Sequence, residues 1–260
     1  MYHYSWFWLI PGVEEGGFLE DMHAAMPEGW SVAAEAHNFH AVPAAWTVVL
    51  VCSIFALMAR AGINRARAKG GLEQYVPDAG IGPRNLMEIL LGAIHDFGAS
   101  TLHSKDLSTR YFPVFATVFI YILVSNLMGL VPGFLPPTGS ISTNFAVAVV
   151  VFLVFNWAGF KEAGFGYVKH MAGPVWWLSF FIFPVELFSM LLRPLTLAVR
   201  LYINMFADHL LLVVSTEMIR FVLPAAFVGL GTFVSFVQAF VFMLLTVVYV
   251  ALSVGDGDHH

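Results

Sequence analysis

The chain has 260 residues and a formal net charge of −5, with 59% hydrophobic residues and only 11% charged residues. Soluble domains carry about 25% charged residues, so this composition excludes a soluble enzyme or binding module and indicates an integral membrane protein. The chain's single cysteine, Cys52, excludes a disulfide framework.

Residues 1–41 are predicted to form an N-terminal arm on the external side of the membrane. They mix acidic and apolar residues and contain no uninterrupted apolar stretch of 18 residues, whereas a spanning helix needs about 20 apolar residues. The N-terminal residues lack a basic region and begin with aromatic residues, so we expect no cleavable signal peptide. His37 and His40 have a spacing that could suit a metal, but further ligands are not apparent. We therefore expect no metal site.

The first predicted span covers residues 42–59, which carry no charge. Arg60, Arg65, Arg67 and Lys69 follow it, with no acidic residue before Glu73. Because cytoplasmic loops are enriched in Lys and Arg, this loop is predicted to be cytoplasmic and the N-terminus external. Residues 42–260 are interpreted as one transmembrane domain.

The next predicted element, residues 84–106, is a helix that lies on the cytoplasmic membrane surface. Charged and apolar residues alternate along it at helical spacing, with the apolar ones on one face. It is too polar to span and suits an interfacial amphipathic helix.

Residues 111–160 contain no Asp, Glu, Lys, Arg or His. A cluster of prolines and glycines, beginning at Pro132, divides them into two predicted spans, 111–131 and 142–160, joined by an external loop. Lys161 and Lys169 then mark a return to the cytoplasm.

Two longer apolar segments complete the chain, at 174–214 and 221–254. A helix over 174–214 would be about 60 Å long at the helical rise, which exceeds the bilayer. Both segments are therefore predicted to be long and strongly tilted, with bends at Pro184 and Pro194. The C-terminus is expected in the cytoplasm.

Each long segment carries a stripe of polar residues at near-helical spacing. An arginine at the centre of a spanning helix costs about 3 kcal/mol on insertion scales, so Arg200 should face protein, water or an acidic partner. The stripe is either a structural seam between helices or part of an ion path, and packing the two stripes together would satisfy both. The first stripe contains Glu186, Ser189, Arg193, Thr196, Arg200, Asn204 and Asp208, and the second contains Gly231, Ser235, Gln238, Thr246, Tyr249 and Ser253.

Arg200 cannot lose its proton, so it can act as a fixed charge and not as a proton carrier. Glu186 lies about 21 Å from it along the helix axis, and Asp208 and His209 lie about 12 Å to the other side. Titratable groups on both sides of a barrier charge suggest two half-paths, one opening to each face. No Walker loop, GxGxxG or HExxH motif is present, and we expect no cofactor and no nucleic-acid partner.

Three stretches of this sequence resemble subunit a of the F-type ATP synthases, and the resemblance covers roughly residues 84–254. The first is LLRPLTLAVRLYINMFADHLLL, in which Pro194 follows a basic residue and an Arg-Leu pair follows at 200–201. The second is QAFVFMLLTVVY, at the start of which stands Gln238. The third is SNLMGLVP, from Ser125 to Pro132, followed by PPTGSISTN.

The resemblance implies an all-α membrane fold of about five spanning helices and an interfacial helix, with the last two helices forming a tilted hairpin against a ring of c subunits. It assigns Arg200 to the arginine that faces the ring carboxylates. Asn204 and Gln238 match polar residues along the path, His209 lies on the external half-channel and Glu186 near the cytoplasmic exit. The matched motifs also contain Asn126 and Asn144, for which backbone capping and helix packing are an equal interpretation.

This chain departs from the family pattern at three positions. Gly231 stands where the family often has His or Glu, Asp208 stands where glycine is usual, and Ile203 also replaces a usual glycine. Our hypothesis is that the carboxylate has moved from the last helix to the arginine helix. On a regular helix Asp208 lies about 80° from Arg200 and His209 about 180°.

The sequence thus predicts a proton-translocating stator subunit that is not an enzyme on its own, in a bacterial inner membrane. Its expected partners are the c ring, the peripheral-stalk b subunits, the rest of the synthase and lipid. Protons would enter past His209, Asp208 and Asn204, along Gln238 and Ser235, and leave near Glu186 and Ser189. The coupling ion, H⁺ or Na⁺, is selected by surroundings of the ring carboxylate that belong to another chain. The alternatives are a secondary transporter whose Arg200 binds an anionic substrate, for which no internal repeat is found, and a structural scaffold.

Overall fold

A computed structural model describes residues 41–69, 82–102, 104–131, 134, 136–164, 179–218 and 222–255. The regular structure within these ranges is helical. The predicted N-terminal arm, apart from Ala41, lies outside them. The helices are α1 (Ala41–Lys69), α2 (Pro83–Leu102), α3 (Lys105–Gly129), α4 (Ile141–Ala163), α5 (Ser179–Met218) and α6 (Val222–Gly255), and a 3-10 turn, Pro137–Gly139, joins α3 to α4.

Five of the helices are long and apolar enough to cross a membrane, and α2 is not among them. This confirms the predicted all-α membrane fold with five spans and one further, amphipathic helix. The apolar segments of the five helices are Ala41–Ala68, Lys105–Gly129, Ile141–Glu162, Phe180–Leu212 and Pro224–Val254.

Several helices extend beyond the uncharged stretches that predicted them. α1 continues past residue 59 to Lys69 because Ala, Arg and Lys are strong helix formers, so a charged residue ends an apolar run without ending the helix. α3 begins at Lys105, ahead of the predicted 111, because Ser104 caps it: the Ser104 hydroxyl accepts a hydrogen bond from the backbone N–H of Leu107 at 3.4 Å. α5 likewise continues to Met218, beyond the predicted 214.

The main buried hydrophobic cluster draws on α2 to α6, whereas α1 contributes only a few small buried residues, among them Ala44 and Val48. α3 packs against α6, α4 packs against α5, and α5 and α6 pack against each other. The largest fully buried core side chains are Phe115, Phe119 and Ile122 of α3, Phe155 of α4, Leu197 and Leu201 of α5, and Phe242 and Met243 of α6. α1 lies at the edge, where Trp46 is 70% exposed. Such exposed apolar surface is typical of a protein covered by lipid or by other subunits.

Candidate functional site

α5 is a single helix that carries the whole first polar stripe. Pro184 and Pro194 lie inside it without ending it, and bends at these prolines stay a prediction. One face of α5 is buried against α4 and α6, through Met190, Leu197, Ala198, Leu201 and Met205. The opposite face is apolar, and none of the helices that the structure describes covers it; we call it the uncovered face of α5. Its exposed large side chains include Leu192, Leu195, Ile203, Phe206, Leu210 and Val214.

Arg200 lies on this uncovered face of α5. Its side chain is exposed, next to Ile203, which is itself 54% exposed. The ion pairs formed among the described side chains do not involve Arg200. A guanidinium keeps its charge at any physiological pH, so a charge on an apolar face needs a counter-charge or water beyond the ion pairs of the described side chains.

The two polar stripes meet at Asn204 and Gln238. The amide nitrogen Nδ2 of Asn204, on α5, donates a hydrogen bond to Oε1 of Gln238, on α6, at 2.6 Å. Gln238 is buried, and its Nε2 has no partner among the described residues. Ser235, one turn earlier on α6, is buried as well. The predicted contact between the stripes is therefore present one turn along α5 from Arg200.

Asp208 lies opposite Gly231 in the same interface between α5 and α6. Asp208 is one turn beyond Asn204 on α5, and Gly231 is two turns before Gln238 on α6. A Cβ atom built on Gly231 would lie 3.9 Å from both Cγ and Oδ2 of Asp208, and 2.9 Å from Cδ2 of Leu130. The carboxyl group of the half-buried Asp208 side chain therefore lies beside Gly231, within contact distance of any side chain placed there. His209 is part of α5, and its side chain lies outside what the structure describes.

The other end of the stripe contains a contact that sequence reasoning missed. Nη2 of Arg193 is 3.9 Å from Oε1 of Glu186, and the Arg193 guanidinium lies over the ring of Tyr249 on α6, at 5.4 Å from its centroid. Glu186 and Arg193 belong to the first predicted stripe and Tyr249 to the second, but nothing in their spacing identified them as partners. Ser189, between Glu186 and Arg193, is exposed.

The Asn126 and Asn144 side chains meet in a buried cluster where α3 ends and α4 begins. Oγ1 of Thr138 donates a hydrogen bond to Oδ1 of Asn126, and Nδ2 of Asn144 donates to the backbone carbonyl of Thr138, both at 2.8 Å. Thr138 belongs to a quoted motif but was not singled out from the sequence. A Cβ on Gly129 would overlap Met205 of α5, so the end of α3 lies directly against the arginine helix. Pro132 falls outside the described residues.

We expect Thr138→Val to destabilise the protein by about 1–3 kcal/mol, because it leaves the buried Oδ1 of Asn126 without its donor. The measurement is the temperature at which the detergent-solubilised complex dissociates. Thr117→Val is the matched control, since Thr117 is exposed and its hydroxyl bonds only to the carbonyl of Pro113 in its own helix. Equal midpoints for the two variants would contradict a stabilising role for the cluster.

Together, the fold and the stripes define a multi-pass membrane protein with one fixed charge on an uncovered apolar face. Comparison with known proteins gives the family. A sequence profile described as ATP synthase A chain matches residues 44–251, and the chain belongs to that family. It is 45% identical over 170 residues to ATP synthase subunit a 2 of Syntrophotalea carbinolica, covering 65% of this chain and 72% of the relative.

Two further relatives extend the match. ATP synthase subunit a of Geobacter sulfurreducens is 42% identical over 175 residues, which cover 67% of this chain and 76% of the relative. ATP synthase subunit a 1 of Syntrophotalea carbinolica is 36% identical over 244 residues, which cover 94% and 93% of the two chains. The match therefore reaches nearly the full length of this chain.

Proposed function

We propose that this chain is the proton-translocating stator subunit of a rotary ATP synthase, acting with the other subunits of that complex. Membership of the ATP synthase A chain family supports the assignment. The observation that carries the mechanism is the exposed Arg200 on the uncovered apolar face of α5. Nucleotide chemistry belongs to other subunits, and the translocation step needs no cofactor.

The uncovered face of α5 is the docking surface for the c ring. Lipid is a poor environment for Arg200, because an arginine at membrane depth requires water or an acidic partner. A ring helix that carries a carboxylate supplies both an apolar contact and the counter-charge. The exposed side chains of α6, among them Phe233 at 65% exposure, extend this surface.

Arg200 separates two half-paths. It attracts a ring carboxylate that has lost its proton, and its fixed charge repels a proton that would cross directly from one half-path to the other. A ring site therefore has to be reprotonated on one side, turn with the ring, and release its proton on the other side. The external half-path contains His209, Asp208 and Asn204, lined by Gln238 and Ser235, and the cytoplasmic half-path contains Glu186 and Ser189.

The Asp208 carboxylate takes the role of a proton-handling group on α6. The gap at Gly231 supports this, because the position of an added Cβ there lies within 4 Å of the Asp208 carboxyl group. Compared with the family pattern, the proton-handling group is thus supplied by α5 instead of α6, at the same place between the two helices.

The orientation follows from the charges at the helix ends. Arg60, Arg65 and Arg67 are exposed at the end of α1, which supports a cytoplasmic location for this end and an external N-terminus. α6 then ends on the cytoplasmic side. The chain resides in a bacterial inner membrane, where the b subunits of the peripheral stalk contact it.

A disulfide cross-link tests the docking surface. In a Cys52→Ser background, Ile203→Cys should cross-link to a cysteine placed next to the carboxylate of a ring subunit, because Ile203 lies beside Arg200 on the uncovered face. Leu57→Cys is the matched control: Leu57 is 63% exposed but lies on α1. Cross-linking from Leu57 and not from Ile203 would overturn the proposed surface.

A further inference from the structure

A second arginine lies on the stripe, and the proposed half-paths do not use it. Arg193 is midway between Glu186 and Arg200, about 10 Å from each along the helix axis. A proton that leaves a ring carboxylate near Arg200 and exits near Glu186 must pass this level of α5. The position of the Arg193 charge therefore bears on the exit.

Arg193 contacts Tyr249 of α6, which is itself supported by α4. Its guanidinium lies 5.4 Å above the ring centroid of Tyr249 on α6, an arrangement in which the ring face attracts the cation. The Tyr249 ring in turn packs against Phe155 of α4, with 5.6 Å between centroids. Phe155 is fully buried in the core, so the guanidinium rests on a rigid support.

The contact between Arg193 and Glu186 is of a different kind. The 3.9 Å between Nη2 and Oε1 is too long for a hydrogen bond, so the attraction is coulombic. A carboxylate held in this way keeps its lone pairs for water. The side chain of Glu186 is 47% exposed and that of Arg193 is 26% exposed, so the carboxylate is the more accessible member of the pair.

We propose that Arg193, seated on the Tyr249 ring, is a positioning residue that holds the Glu186 carboxylate at the mouth of the exit half-path. This inference rests on the proposed function. Arg193 acts only through Glu186, and Tyr249 acts only by supporting Arg193. Removing any one of the three should therefore impair the same step.

The test is ATP-driven proton pumping in inverted vesicles, with assembly checked by co-purification of the ring. Arg193→Gln should lower the pumping rate about three- to tenfold, which lies within the range of coupling between contacting residues. Arg193→Lys should recover part of the rate, because it keeps the cation. Tyr249→Leu should match Arg193→Gln, whereas Tyr249→Phe should lose clearly less, because it keeps the ring face.

The double variant Glu186→Gln with Arg193→Gln distinguishes positioning from general stabilisation. If Arg193 acts through Glu186, the double variant pumps as slowly as Glu186→Gln alone, whereas additive losses would overturn the proposal. Arg110→Gln is the matched control, since it breaks another arginine–carboxylate pair, with Glu162, away from the stripe. An equal loss in that control would also overturn it.

The failure of this inference can be told apart from the failure of the proposed function. Normal pumping by Arg193→Gln, together with lost pumping by Arg200→Ala, would overturn the positioning role alone. Normal pumping by Arg200→Ala would overturn the proposed function and the inference with it.

Discussion

Replacing Arg200 with alanine should abolish ATP-driven proton pumping while the complex stays assembled. The side chain is exposed on the uncovered face of α5, so its loss should not disturb the fold. It should remove the counter-charge for the ring carboxylate and the barrier between the half-paths. The measurement is acidification of inverted vesicles on addition of ATP, normalised to the amount of ring that co-purifies with the chain.

The same vesicles should become leaky to protons when the ring can turn freely, because nothing then prevents direct passage between the half-paths. Arg110→Ala is the matched control, since Arg110 is also an exposed arginine on a spanning helix. If the polar stripe were only a structural seam between helices, Arg200→Gln would pump normally in an assembled complex. A secondary transporter predicts arginine-dependent uptake of an anion without the ring.

The helices of this fold could be predicted from sequence because a bilayer imposes a simple requirement. Backbone groups in hydrocarbon must bond within a helix, so each long apolar run becomes a helix. The helix ends were less accurate because they depend on local chemistry: Ser104 starts α3 within a charged stretch, and the arginine-rich end of α1 stays helical to Lys69.

The site was predicted only as far as helical periodicity reaches. Periodicity put Arg200, Asn204 and Asp208 in one stripe, and the stripe's contact with Gln238 on α6 followed from the need to satisfy two polar seams. Periodicity did not predict the contact of the Arg193 guanidinium with the Tyr249 ring. It also did not predict the hydrogen bonds that link Thr138 to Asn126 and Asn144. Such contacts depend on how far each helix is rotated and shifted against its neighbour, which a sequence pattern does not specify.

Asp208→Asn should lower ATP-driven pumping at least about tenfold, because general acid–base groups that relay protons typically contribute 100-fold or more. Asparagine fills nearly the same volume but cannot exchange a proton, so a loss in this variant is a loss of chemistry rather than of packing. Asp208→Gly should show a similar loss. A wild-type rate in either variant would remove the carboxylate from the path.

The second step of that experiment moves the carboxylate across the interface. Asp208→Gly combined with Gly231→Asp should recover a substantial part of the pumping rate, because the new carboxyl group would occupy the space that the Asp208 side chain has left. The new Cβ would lie 2.9 Å from Cδ2 of Leu130, the mobile end of a side chain that can turn away. Asp208→Gly with Gly229→Asp is the matched control, since Gly229 lies on the same helix with open space around it. Recovery by Gly231→Asp and not by Gly229→Asp would mean that the path requires a carboxyl group at one point between α5 and α6, whichever helix supplies it, whereas equal recovery, or none, would contradict the exchange.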